Sequence, residues 1–174
     1  MNDQISIMQA FCTDNLLQIK KLIDRLPNEK YAEPCEKLFD SSIGKHVRHT
    51  LEFYKCLFDG LDSGTVNYDG RERDVVLETD TEKAMELITD LECQLKAINS
   101  NKGLKIIANY TDKSQADILM TSSFYRELGF CLEHSIHHLA MIKIGLKELN
   151  CLNLIDKNFG IAPATLRHQK QCAQ

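Results

Sequence analysis

The chain has 174 residues, 43% of them hydrophobic and 26% charged, with a formal net charge of −4 and a pI near 5.9. That length supports one good core and is short for two. The balance is that of a globular protein, and its acidity leaves no basic field to hold nucleic acid, which is not expected as a partner.

In chain order, residues 4–25 place Ile5, Met8, Cys12, Leu16, Ile19 and Ile23 at three- and four-residue steps, predicting an amphipathic helix. The opening "MNDQISIMQA" lacks the basic and apolar regions of a signal peptide. No apolar run reaches the roughly 18 residues that cross a bilayer, so a cytoplasmic protein with no membrane partner is expected. Pro27 and Pro34 punctuate a connection, and Ser41 and Ser42 offer N-caps for a second helix to about Asp59. Gly60, Gly64 and Gly70 break up residues 60–78, a long loop of the kind that often carries function. Thr79, Asp80 and Thr81 offer caps for a third helix through about Ile98. "LKIIANYT" and "ADILMT", either side of the polar "DKSQ", predict a short β-hairpin between the third and fourth helices. The fourth helix starts near Ser122 or Ser123 and runs to about Leu149. Beyond it a tail with Gly160 and Pro163 packs only in part. The reading is one all-α domain over 1–174, a four-helix bundle with its core at about 4–150 and a tail at 151–174. Seven scattered cysteines with no CxxC pair read mostly as small core hydrophobes of a reducing compartment.

The fourth helix concentrates the chemistry. "CLEHSIHHLAMI" holds His134, His137 and His138, half of the chain's six histidines. On a helical wheel Phe124, Leu128, Leu132, Leu139, Ile142, Leu146 and Leu149 form the apolar face. His138 falls inside its margin, His134 at its edge, and His137 turns away. His134 and His138 are thus an i, i+4 pair that can reach one metal ion. A pair cannot close a site, and the third ligand is sought on the second helix. There "SSIGKHVRHTLEFY" places His46 and His49 on either side of Phe53, and periodicity does not choose between them. Three neutral imidazoles with an open position form a catalytic rather than a structural site.

With these two motifs the sequence resembles the DinB/YfiT-like family of metalloenzymes, from about residue 4 to 150. "SIGKHVRHTLEF" looks like that family's second-helix motif, and "EHSIHHLAMI" like its later His-x3-His motif. The resemblance implies a four-helix bundle with His49, His134 and His138 as ligands, His46 being the runner-up. It implies one divalent metal, zinc before nickel, manganese or iron, and a low-molecular-weight thiol used in transfer or isomerisation. Members that form sulfur–carbon bonds with iron carry His-x3-His-x-Glu. Here that last position is Ala140, which disfavours their chemistry. A homodimer is also expected.

The loop "VNYDGRERDVVLE" is the candidate substrate-binding segment. Arg71 or Arg73 can hold a carboxylate bidentately, with Tyr68 nearby as a hydrogen-bond donor. Glu52, one turn after His49, is placed on the polar, solvent-facing side, and Glu133 lies opposite the core. The expected function is a metal-dependent thiol transferase or hydrolase acting on a small thiol or electrophile. Its alternative is a non-catalytic metal-binding or stress-related bundle.

Overall fold

The computed structural model describes residues 2–113 and 116–172, so the predicted turn "DKSQ" lies partly outside the described residues. Along the chain run α1 (Asn2–Ile23), α2 (Asn28–Ala32), β1 (Pro34–Cys35), β2 (Ser41–Ser42), α3 (Ile43–Asp59), β3 (Thr65–Asn67), α4 (Thr81–Ala97), β4 (Gly103–Ala108), β5 (Ile118–Ser123), α5 (Phe124–Glu148) and α6 (Pro163–Cys172). Single 3-10 turns occupy Glu36–Leu38, Val75–Glu78 and Leu152–Leu154. The expected all-α four-helix bundle of DinB/YfiT type is therefore corrected to a mixed fold, with six helices and two small sheets among the described residues. β1 and β2 pair antiparallel, Pro34 opposite Ser42. The second sheet has the order β3-β4-β5. In it β3 runs parallel to β4, Thr65 opposite Lys105, and β4 runs antiparallel to β5.

The long helices start where short polar side chains supply an acceptor. The Ser42 hydroxyl accepts from the Lys45 N–H at 3.0 Å. The Asp80 carboxylate accepts from the N–H groups of Glu82 and Lys83 at 2.9 and 3.1 Å. Just beyond α5, Asn150 has a φ of 57°, the left-handed turn that stops a helix. Each long helix buries one stripe at three- and four-residue steps: Cys12, Leu16, Ile19 and Ile23 on α1, and Val47, Leu51, Tyr54 and Phe58 on α3. Ala84, Ile88, Leu91 and Leu95 on α4, and Leu128, Cys131, Leu139, Ile142 and Leu146 on α5 complete the core. Each buried Leu or Ile there contributes roughly 1.5–3 kcal/mol.

Two contacts fold residues 60–78 back over α3. A Cβ on Gly44 would sit 2.0 Å from the Glu78 carbonyl oxygen, so only glycine lets the Val75–Glu78 turn approach so closely. The Tyr31 hydroxyl donates to the Leu77 carbonyl at 2.7 Å and holds the same turn from the other side. That segment is therefore an ordered flap on the helix that carries His46 and His49.

Cys12, Cys35 and Cys131 are buried, Cys56 and Cys151 are half-buried and pack against the core, and Cys93 and Cys172 are exposed. All seven are free thiols. No helix of the described residues is long and apolar enough to cross a membrane. A cavity of about 650 Å³ lies between α1, α5 and the C-terminal segment, lined by Phe11, Asn15, Leu132, Ile136 and Phe159. Its lining includes none of the described histidines.

Candidate metal centre

α3 packs along α5, and that contact faces one histidine pair with the other. His49, His134 and His138 each offer a ring nitrogen, and these nitrogens lie within 4.8 Å of one another. The His49 and His134 Nε2 atoms are 2.9 Å apart, with ring centroids at 5.0 Å. His138 stands edge-on to both, at 4.5 Å from His49 and 4.6 Å from His134. Three imidazole nitrogens at this spacing form a group able to hold one metal ion.

His46 lies behind this group. Its Nδ1 shares a 2.9 Å hydrogen bond with Nδ1 of His138. A ligating His138 would donate Nδ1–H to His46 and keep Nε2 for the ion, which is how outer partners fix the tautomer of a ligating histidine. The Nε2 of His46 is buried without a hydrogen-bond partner among the described residues. His137 is exposed.

Aromatic rings form the floor. Phe53 stacks on His134 at 4.3 Å, and Phe130 lies on the same imidazole at 5.7 Å. Tyr68 stacks on Phe53 at 5.1 Å, its ring within 10° of parallel. Its hydroxyl donates to Glu127 Oε2 at 3.1 Å. Arg71 does reach the group. Its Nη2 lies 2.9 Å from His49 Nδ1, its Nη1 donates to the Tyr68 carbonyl at 2.8 Å, and its guanidinium carbon sits 4.9 Å above the Phe53 ring. Arg73 is exposed.

Glu52 departs from expectation. It is 3% exposed rather than solvent-facing, because the flap covers that side of α3. The Asp74 N–H donates to its Oε1 at 2.8 Å, Arg71 Nε lies 3.4 Å from Oε2, and Arg48 Nε lies 3.8 Å from Oε1. Burial pushes its carboxyl up, against the pull of the Asp74 N–H and of the two guanidiniums. A wheel assigns a polar face to water by default and carries no knowledge of a loop lying on it. Glu127 was missed outright. It is 1% exposed and accepts from Tyr68, Ser122 and Arg126. Its place on α5, three residues after Phe124 and on the same margin as His134, was the available signal.

Burial, reinforced by the Arg71 charge and the neighbouring imidazoles, holds His49 down at about 4. Burial and the other three imidazoles at the site, with His137, hold His138 at about 3. His46 and His134 are also lowered, chiefly by burial. At neutral pH all four are uncharged, the form that binds a metal. The donor set therefore fits a divalent ion by charge and spacing. The sign for stability follows. An unfolded histidine titrates near 6.5, so between pH 6.5 and 4 the unfolded chain takes up protons that the folded site refuses. Metal-free protein is expected to be most stable above pH 6.5 and to weaken as pH falls towards 4. Urea midpoints at pH 7.5, 6 and 5 should show this loss, and a His49→Gln/His138→Gln double variant should show less of it. An equal acid loss in the variant would rule the two imidazoles out as its source.

Among curated proteins, FK506-binding protein 5 of Rhizopus delemar is 34% identical to this chain over 109 residues. The match covers 61% of this chain but only 28% of that protein, too small a share to carry its name across. No family model and no solved structure matches the chain. The resemblance to the DinB/YfiT-like family is accordingly withdrawn. It rested on two short histidine motifs; the relative found bears another name, and the mixed fold differs from the bundle that family implies.

Proposed function

We propose that the chain is a divalent-metal enzyme, zinc being the favoured ion, that acts on a small thiol and joins its sulfur to an electrophile, the thiol losing its proton and the electrophile its leaving group. The observation that supports this is the meeting of His49, His134 and His138 from two packed helices, uncharged and with ring nitrogens within 4.8 Å. A bound divalent ion supplies the positive charge that lets a thiol lose its proton at neutral pH. The chain's residues do the rest. His46 orients His138 through the Nδ1–Nδ1 hydrogen bond, and Phe53 and Phe130 fix the plane of His134. The aromatic floor excludes water from one side, and Arg71 offers positive charge to an anionic group on the bound molecule.

Hydrolysis is the less favoured use of such a site, because activating water needs a nearby proton acceptor. Glu52 is tied to two arginines and a backbone N–H, and Glu127 to Tyr68, Ser122 and Arg126. Glu127 accepts on both oxygens; Glu52 Oε2 has no hydrogen-bond partner among the described residues, but the two guanidiniums beside it oppose its taking a proton. Protein purified without added metal should carry close to one equivalent of zinc by elemental analysis. With zinc it should catalyse S-alkylation of a small thiol, releasing the leaving group of a chromogenic alkyl halide. Bound metal without turnover would favour a metal-binding role alone, and absence of metal would end the reading.

A further inference from the structure

The contact between Arg71 and His49 has a consequence for metal binding. A guanidinium has no lone pair and cannot lose a proton in a protein, so in this hydrogen bond Arg71 Nη2 donates and His49 Nδ1 accepts. A neutral imidazole that accepts at Nδ1 carries its proton on Nε2. That proton points at His134 Nε2, 2.9 Å away, and occupies the lone pair that a metal would need. Of the ring nitrogens facing the site, His49 Nε2 is thus held in the form that does not ligate. To bind, His49 must move its proton to Nδ1, where an N–H would face an arginine donor. Arg71 Nη2 must therefore leave before His49 can close the site. The guanidinium is a rigid plane, so Nη2 leaves only as the whole fork shifts; among the described residues Nε has no hydrogen-bond partner, and the one hydrogen bond besides that to His49 is Nη1 on the Tyr68 carbonyl.

We propose that Arg71 is a carboxylate-binding residue, and that a carboxylate taking Nη2 away from His49 is what makes the three-histidine group competent for metal. The inference rests on the metal reading above and names its substrate class: a small thiol that also bears a carboxylate. With the carboxylate on the arginine, His49 can carry its proton on Nδ1 and leave Nε2 open for an ion, beside which the thiol end of the same molecule would lie. By linkage the coupling is reciprocal, so carboxylate and metal tighten each other by one factor.

The test has two parts. In metal-free protein, long-range ¹⁵N–¹H spectra report which ring nitrogen of His49 carries the proton. The wild type should show Nε2–H, and a proton on Nδ1 overturns the proposal whether or not metal binds. Zinc affinity is then measured by competition with a chromogenic chelator, with and without propionate at matched ionic strength. Outer-shell changes typically move metal affinity 10- to 100-fold. Arg71→Met is expected to bind zinc at least about tenfold more tightly than wild type without any additive. Propionate should tighten zinc binding in wild type and have no effect in Arg71→Met. Arg71→Gln, whose amide oxygen can accept from Nδ1–H, should behave alike and covers the case in which the methionine variant misfolds. Arg73→Met loses the same charge from the exposed neighbour and should stay within a factor of two of wild type. If Arg71→Met and Arg73→Met tighten zinc equally, the gain is one of charge alone and the coupling is refuted. Normal zinc binding by wild type with no gain in either Arg71 variant refutes the coupling and leaves the metal reading standing. No zinc binding by any of the proteins refutes both.

Discussion

Replacing His138 with alanine is expected to weaken zinc binding about 10²-fold while the helices persist. Four-ligand zinc sites in small domains are worth roughly 10–16 kcal/mol, about 3 kcal/mol per ligand, and 1.4 kcal/mol is a factor of ten. His138 is the imidazole that stands edge-on to both others, so its removal leaves two ligands. It sits at the half-buried margin of α5 rather than among the fully buried residues Leu139, Ile142 and Leu146, which keeps the helix docked. His49→Ala should match it. His46→Ala should lose only about tenfold, because that residue touches His138 and acts by orienting it. His137→Ala, at an exposed position, should leave affinity unchanged. Chelator competition with circular dichroism on the same samples decides the matter: full zinc affinity in a folded His138→Ala protein removes His138 from the site.

Glu52→Ala should be the most destabilising single change near the site, by about 3–5 kcal/mol. Removing one partner of a buried ion pair leaves the other charge uncompensated, and costs of that size are usual. Here the carboxylate is 3% exposed, Arg48 is 6% exposed, and Arg71 leans on the same group from the flap. Arg48 keeps Glu78 at 3.1 Å, which places the expected loss toward the lower part of that range. The Asp74 N–H also loses its acceptor. At about 2–4 °C per kcal/mol for a chain of this size, Tm should fall by roughly 6–20 °C. Glu52→Gln keeps an oxygen for Asp74 and should fall less. A Tm drop under about 2 °C for Glu52→Ala would mean that the arginines are solvated in solution and the flap is open.

The reach of the sequence follows from what periodicity encodes. The four long helices could be read because their apolar steps persist over several turns and because Ser42 and Asp80 cap where a short polar acceptor is needed. His134 and His138 could be paired because i, i+4 is a property of one helix. The remainder depended on partners distant in sequence. β1, β2 and β3 are two or three residues long, too short for an alternating pattern, and β3 exists only because β4 lies beside it. The burial of Glu52 depends on a flap that no wheel of α3 contains. The two motifs that carried the family resemblance were likewise short, and neither fold nor comparison supports it.

The parallel register of β3 on β4 ties Thr65 to Lys105 across forty residues of chain, by the difference of their numbers. Arg71 follows β3 by four residues, so its address at His49 is written partly on the far side of α4. Parallel pairing over such a separation must close a long loop before it gains anything, and is therefore slow compared with helix formation. The histidine pairs are farther apart still: His49 and His134 are separated by 85 residues, whereas Arg71 is 22 residues from His49. The shorter loop closes at the lower entropic cost, so Arg71 can occupy His49 Nδ1 before α5 brings in the second pair. A chain that folds in this order assembles its histidines with His49 already masked, so loading with metal falls to the finished protein and not to the nascent one.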